Sequence, residues 1–421
     1  MMSLRIKNIA SIRYGLSQPP PIDDDGCPFI RATNVDNGRI VDRELMRVRD
    51  VVPGPARDAR LRTGDIIVVR SGAYTGDSSI IPARYDGSLA GYDMIVRATD
   101  RVVPSYLAWC LLSAPVRDGQ FSLVTARAAQ PHLNAEDLGN CEIAVPNLDV
   151  QKAVCRYLDR RTATIDALVE KKQRLVERLR EKRQALITEA VTRGLDPNAP
   201  RKASGVESVG EVPSHWRLLR LMHLTQPGRP ITYGIVLPGP HVDGGIPVVK
   251  SGDCHPGKLR RERLKCTTPE IEAPYARARL RSGDLVIAIR GSIGAAAIVP
   301  PDVEGANLTQ DAARIAPAQG VVNRWLLYAV QSSAVWVQLE AGVLGATVQG
   351  INIRDLKRPI VPTPPLDEQR RIADHLDAAT ARLDRAVAAI AAQLDRLREY
   401  RQALITEAVT GRIPLARMEA P

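Results

Sequence analysis

The chain has 421 residues, 44% of them apolar and 25% charged, with a formal charge of +11 and a pI near 9.5. That length exceeds what one hydrophobic core usually supports, so two or more soluble globular domains are expected, and the positive balance calls for an anionic partner, nucleic acid or an acidic membrane surface. No apolar run of about eighteen residues exists and the start MMSLRIKNIASIRYG lacks an apolar core or cleavage signal, so neither a membrane span nor export is indicated and a cytoplasmic protein is expected.

From Leu4 to about Pro146 the pattern is one of short strands and turns. CPFIRATNV, Cys27 to Val35, is apolar and β-branched ahead of the turn Asp36-Asn37-Gly38, and GDIIVVR, Gly64 to Arg70, is an apolar run opened by Gly-Asp. Both read as buried strands. SGAYTG, Ser71 to Gly76, follows the second strand directly, as GSIG, Gly291 to Gly294, follows DLVIAIR later in the chain. Such a loop lets backbone N–H groups approach a phosphate, or simply makes a tight turn between two strands. PSYLAWCLLS, Pro104 to Ser113, reads as one buried helix with Trp109 in the core.

After Pro146 and Asn147 a long helix is predicted, in which Val154, Leu158, Ile165, Leu168, Leu175, Leu179 and Leu186 recur as the a/d seam of a left-handed coiled coil. About forty residues at 1.5 Å each make a rod of roughly 60 Å. Its far half, EKKQRLVERLREKRQ, carries seven basic and three acidic residues, a solvated helix exterior or a surface for phosphate or a partner. Gly194-Leu195-Asp196-Pro197 ends the helix, and the Pro-, Gly- and Ser-rich stretch to Trp216 reads as an extended linker. A second globular part follows, and then a second helix with Ile372, Leu376, Leu383, Ile390, Leu394, Leu397 and Leu404 as its seam.

The two halves are copies. RQALITEAVT runs from Arg183 to Thr192 and again, unchanged, from Arg401 to Thr410, an offset of 218 residues. Leu148, Asp149 and Gln151 fall on Leu366, Asp367 and Gln369 at the same offset. Upstream, at an offset of 219, Tyr14-Gly15 falls on Tyr233-Gly234 and Leu61 to Asp65 on Leu280 to Asp284. The expected architecture is α+β: two globular α/β domains (1–147 and 217–365), two long helices (148–193 and 366–412), a linker (194–216) and a tail (413–421). A lone helix with an apolar stripe would be poorly soluble, so the two should pair, antiparallel, through Leu158, Ile165, Leu179 and Leu186 on one and Leu376, Leu383, Leu397 and Leu404 on the other. This would place one domain at each end of a common rod, about an approximate two-fold axis.

Catalytic signatures are missing: there is no G-x-x-x-x-G-K-[ST], no Asn-Pro-Pro-aromatic, no G-x-S-x-G and no H-E-x-x-H. The six histidines do not recur between halves, as those of a duplicated active site should. No catalytic or metal site is expected; the cluster of His241, Cys254, His255 and Cys266 matches no standard zinc spacing, and the six scattered cysteines fit reduced thiols.

LDEQRRIADHLD (Leu366 to Asp377), both copies of RQALITEAVT, SGVESVGEVPSHW (Ser204 to Trp216) and the Gly-Asp-strand-Arg-Ser-Gly pattern at Gly64 to Gly72 give the chain its resemblance to the specificity subunits of type I restriction–modification systems. The first copy departs from the family pattern, with LDVQKAVCRYLD in place of the second copy's form. The resemblance implies a non-catalytic subunit with two target-recognition domains, each reading one half of a bipartite double-stranded DNA target. Its implied partners are two modification subunits that methylate adenine with S-adenosylmethionine, and restriction subunits that use ATP and Mg; the chain itself binds no cofactor.

The residues lead the same way. Near-identical helices with divergent domains suit identical partner copies and unlike ligands, and two readers on one face of a duplex would be centred roughly 10 base pairs apart. Lengthening the rod by four residues after Thr192 should then move the gap. Candidate DNA contacts are Arg31 and Lys250 after matched strands, and Arg70-Ser71 and Arg290 with Ser292 at the glycine loops, with Arg70 and Arg290 holding phosphate. Specificity is expected from the loops Gly119 to Leu133 and Gly342 to Gly350. The competing expectations are a coiled-coil adaptor without DNA binding and a solitary methyltransferase.

Overall fold

The computed structural model describes residues 2–50, 59–125, 132–340 and 350–419. Its contacts divide the chain into two units, Met1–Gln173 with Ile390–Pro421, and Arg174–Ala389. Each unit holds one globular head, the near part of one long helix and the far part of the other.

In the first unit an antiparallel sheet runs in the order Ala10–Tyr14, Met94–Ala98, Ile66–Val68, Ser78–Ile80. A second, of order Met46–Val48, Ile22–Ile30, Leu89–Ala90, contains one parallel pairing, between Ile22–Ile30 and Leu89–Ala90. Met2–Arg5 pairs with Glu142–Val145 ahead of the helix. The second unit repeats all three arrangements: Thr232–Tyr233, Ala312–Ile315, Leu285–Ala288, Ala296–Ile298; then Lys265–Thr267, Ile246–Val249, Asn307–Leu308; then Arg217–Arg220 with Ile360–Thr363. The buried strands Ile66–Val68 and Leu285–Ala288 are the apolar runs after Gly-Asp, and Pro104–Leu111 is the expected buried helix. CPFIRATNV does not form one strand: Ile22–Ile30 ends before Arg31, a helical turn takes Ala32–Asn34, and the Asn37-Gly38 turn follows with both residues at positive φ.

The duplicated Gly-Asp has a structural cause. Asp65 is 2% exposed and receives Nε and Nη2 of Arg97, each at 2.6 Å, and Asp284 is equally buried and receives Nη1 and Nη2 of Arg229 at 2.8 and 2.6 Å. A buried carboxylate needs such a bidentate partner, because an unpaired charge inside a protein is costly.

The long helices are Leu148–Arg193 and Leu366–Val409. Within each unit their parts pair antiparallel, Arg401 Nε donating to Asp166 Oδ1 at 3.0 Å in the first and Arg183 Nε to Asp384 Oδ1 at 3.0 Å in the second. Leu158, Ile165, Leu376 and Leu404 are buried, and Leu179, Leu186, Leu383 and Leu397 half-buried. The expected seam needs correction at two positions. Leu168 and Leu175 are 41% and 46% exposed, and Val169 and Val176 take the inward places. From Ile165 a step of either three or four residues keeps a heptad, and the half-burial of Val169 and Val176 shows that the chain takes four. At the helix end it is Ile187, beside Leu186, that is fully buried.

The ten-residue repeat packs on the head that its own half of the sequence does not encode. In the first unit Leu404, Ile405, Ala408 and Val409 join the core of the N-terminal head, and in the second Ile187, Ala190 and Val191 join that of the other. Gln402 Nε2 donates to Leu112 O at 2.7 Å, and Gln184 Nε2 to Gln331 O at 2.8 Å. Thr406 Oγ1 accepts from Ala114 N at 3.0 Å, and Thr188 Oγ1 from Ser333 N at 3.1 Å.

Two segments differ from expectation. The stretch 194–216 is no free linker, since Arg201–Ala203 and Glu211–Pro213 form a hairpin and Val209 and Val212 are buried against Ala334. It closes on Trp216, 1% exposed, whose Nε1 donates to Glu368 Oε2 at 2.9 Å. Gly194 ends the helix at φ +75, with that indole 3.1 Å from where a Cβ would stand. The expected tail contains the short helix Leu415–Glu419, which buries Met418 in the first unit.

Candidate nucleic-acid interface

The candidates in the N-terminal head come together. Arg31 follows the strand Ile22–Ile30, Arg70 and Ser71 follow Ile66–Val68, and Tyr92 precedes Met94–Ala98. The guanidinium of Arg70 lies between two rings, its Cζ 4.4 Å from the centroid of Tyr14 and 4.3 Å from that of Tyr92. Its Nη2 is 2.9 Å from Nε2 of His132, whose backbone bridges to Ser71. Arg31 sits alongside, with Cγ 3.3 Å from the place of a Cβ on Gly91 and Nη2 donating to Glu44 O at 3.0 Å. Tyr14 and Tyr92 remain 41% and 48% exposed, so the clamp presents aromatic faces and edges to solvent. Beneath it Asp93 is 3% exposed, and burial pushes its carboxyl up to about 6, against the opposing pull of the Arg70 backbone N–H and charge.

The repeated Tyr-Gly pair explains how the tyrosines are placed. A Cβ on Gly15 would stand 1.9 Å from the carbonyl oxygen of Gly91, and one on Gly234 2.0 Å from that of Leu308. Only glycine permits that approach, which brings the preceding tyrosine to the edge of the sheet.

In the C-terminal head Lys250 and Arg290 are exposed, one after Ile246–Val249 and the other after Leu285–Ala288. Their turns touch: a Cβ on Gly291 would lie 3.1 Å from Ser251 Oγ, and Ser292 is exposed beside it. Arg290 passes over Gly350, with its Cγ 3.1 Å from the place of a Cβ there. Arg290 is not the counterpart of Arg70. Leu133 N donates to Arg70 O as Ile351 N does to Ile289 O, so the buried Ile289 occupies the position of Arg70, and strand register puts Asp311 where Tyr92 stands. Among the described residues neither Lys250 nor Arg290 has an ion pair.

The glycine loops are hairpin turns, Val68 pairing with Ser78 and Ile287 with Ala296. Gly76 N and Gly294 N are spent on Val69 O and Ala288 O, which removes those donors from any phosphate. Of the expected specificity loops, residues 126–131 and 342–349 lie outside the described residues; Pro115–Phe121 and Ser122–Thr125 are helical rather than loop. Sequence reasoning missed Tyr14, Tyr92 and His132 as site residues, although the Tyr-Gly repeat was a usable signal.

Among the described residues no group of three or more His, Cys, Asp or Glu could hold a metal, and no helix is long and apolar enough to cross a membrane. Cys110, Cys155 and Cys254 are pushed up to about 12 by burial, which keeps them as unreactive thiols at neutral pH.

The family model described as type I restriction modification DNA specificity domain matches residues 3–178 and again 241–396. The specificity subunit of type I restriction enzyme EcoBI from Escherichia coli is 27% identical over 297 residues, 69% of this chain and 62% of that subunit. A putative MjaX specificity subunit from Methanocaldococcus jannaschii is 23% identical over 380 residues, 87% of this chain and 83% of that one. A solved chain, described under complex assembly and conformational transition of the type I R-M system, shares the fold at a TM-score of 0.69 and 20% identity, covering 98% of both chains. With two copies of one family model spanning more than half of its residues, the chain belongs to the type I restriction modification DNA specificity family.

Proposed function

We propose that this chain is the DNA-reading, non-catalytic specificity subunit of a type I restriction–modification complex, each head reading one half of a bipartite target. The observation that carries this is the contrast within the pair: two heads of one topology, docked by identical ten-residue segments, present different side chains at the same sheet edge. Identical docking suits identical partner copies, and different edges suit different base sequences on a uniform backbone. In the N-terminal head the clamp of Tyr14, Arg70 and Tyr92 with Arg31 is the reading surface; in the C-terminal head it is Lys250, Arg290 and Ser292. Two modification subunits would bring S-adenosylmethionine, and restriction subunits ATP and Mg.

The test maps methylated adenines in cells carrying the chain with its modification partner. Two unlike half-sites at a fixed gap are expected, and seven residues inserted in each long helix, after Gln173 and Ala391, should change the gap alone. Thr192 is unsuitable for the insertion, being 4% exposed where the repeat meets the C-terminal head. An unchanged gap would reject the helices as the spacer, and a purified chain with no salt-dependent affinity for duplex DNA would reject the reading altogether.

A further inference from the structure

The C-terminal head has a second cationic feature. Arg314 pairs across the sheet with Thr232 and Val286, two residues along its strand from Ala312, whose partner Ala288 leads to Arg290. Here a cleft of about 670 Å³ opens, and its wall carries Arg229, Arg277, Arg279, Arg281, Arg314 and Lys357.

Two of these cations are neutralised, Arg229 by Asp284 at 2.6 Å and Arg279 by Glu272 at 2.5 Å. Arg277, Arg281 and Lys357 have no ion pair among the described residues, and the only carboxylate on the wall is that of Glu304. With Arg314, whose opposite charge is the Asp284 already paired to Arg229, four cations face one further anion.

Arg314 is the sharpest sign. It is 1% exposed, and its Nη atoms donate to the carbonyls of Arg277, Arg279 and Pro230 at 2.6, 3.2 and 3.0 Å. Its Nε is buried with no hydrogen-bond partner. Burial, and then the charge of Arg229, push its pKa down to about 10, against the opposing pull of Asp284. The carbonyls explain how Arg314 holds the turn, but not why a charge is kept where an apolar side chain would pack. In the N-terminal head register puts the fully buried Ile95 at that position.

We propose that this cleft is a binding site for a phosphoryl anion, held by Arg277, Arg281 and Lys357 over the buried charge of Arg314. Guanidinium forks match phosphoryl oxygens in pairs, and a multiply charged anion offsets the excess that the cleft leaves open. Tyr233, 40% exposed on the same wall, offers a flat apolar face beside it, as a nucleotide would use. The phosphoryl group could belong to a free phosphorylated small molecule or to the backbone of bound DNA. The site is defined by its own charge balance and does not need the DNA reading to be correct.

The full chain would be titrated calorimetrically with inorganic pyrophosphate at fixed ionic strength. The comparison is between wild type, the triple variant Arg277→Gln/Arg281→Gln/Lys357→Gln, and a charge-matched control, Arg260→Gln/Arg261→Gln/Arg263→Gln, with Arg281→Gln alone in reserve should the triple variant melt early. Wild type and control should bind alike and the cleft variant at least tenfold more weakly. If bound pyrophosphate also weakens duplex binding, and the cleft variant lowers the salt slope by about 0.9 for each lost phosphate contact, the backbone is the source. A lowered slope with silent pyrophosphate means the same. Pyrophosphate binding that leaves duplex affinity unchanged identifies a free phosphorylated ligand. Equal isotherms and equal salt slopes for cleft variant and control would overturn the site.

Discussion

The N-terminal and C-terminal heads share their strand order, their buried aspartate–arginine fork and their docking of the ten-residue segment, yet differ at the edge that follows Ile66–Val68 and Leu285–Ala288. One places Arg70 between two tyrosines, where the other has buried Ile289 and an exposed Arg290. The lesson is that the strand order and the buried aspartates are held by packing and charge pairing, while the edge changes together with what lies behind it: Arg70 with the buried Asp93 in one head, Ile289 with the buried Ala312 at the matching register in the other.

The largest expected effects test the shared part. Asp284→Ala removes the carboxylate of Arg229, and Asp65→Ala that of both Arg97 and Arg13, each at a cost of about 3–5 kcal/mol in urea unfolding. The C-terminal head should suffer more, since the Arg229 side chain is 12% exposed and those of Arg97 and Arg13 are 28% and 30%. Equal losses would mean that burial of the arginine does not separate the heads. Next come Ile405→Ala and Ile187→Ala, each fully buried and each worth about 2–5 kcal/mol. Hydrogen exchange should loosen the N-terminal head for Ile405→Ala and the C-terminal head for Ile187→Ala. The opposite assignment would refute the crossed docking.

Smaller effects sharpen the difference. Arg70→Lys keeps the charge but loses the flat face that two rings grip, a contact worth about 0.5–2 kcal/mol per ring. We expect about a tenfold loss of preference at one half-site only, measured by duplex competition, against less than about threefold for Arg290→Lys. Full rescue by lysine at Arg70 would make it a simple phosphate contact. The smallest effect is proton-linked. Asp93 has a folded pKa of about 6, above its ordinary 3.8, so the folded state takes up a proton first. The penalty for its buried charge is absent below pH 3.8, grows as pH rises through 6 and is constant beyond. Asp93→Asn should therefore gain melting temperature over wild type as pH rises from 4.5 to 7.5, whereas the C-terminal head, with Ala312 there, contributes no such slope. A constant difference between the two proteins would remove Asp93 as the cause.

Much of this was legible in the residues. The apolar repeat from Val154 to Leu186 with no Pro or Gly before Gly194, the Gly-Asp strands and the copied RQALITEAVT carry local signals that survive in any packing arrangement. The site was read as basic residues after matched strands, with the Tyr-Gly repeat as a further signal left unused. That Arg70 is gripped by rings from strands far away in sequence, and that Ile289 rather than Arg290 is its counterpart, are matters of sheet register. The hairpin at 194–216 was obscured because its Pro- and Gly-rich composition suits a packed turn as well as a loose one.

The amino-acid order by itself determined the duplication, the helices, the absence of known catalytic motifs and the family, because each rests on period, spacing or identity along one strand of chain. Tertiary structure alone decided which head each copy of the repeat supports, which of Leu168 or Val169 turns inward, and where cations gather around Arg314. Those depend on partners brought together from distant positions, and a side chain's burial and charge balance are set by its neighbours in space.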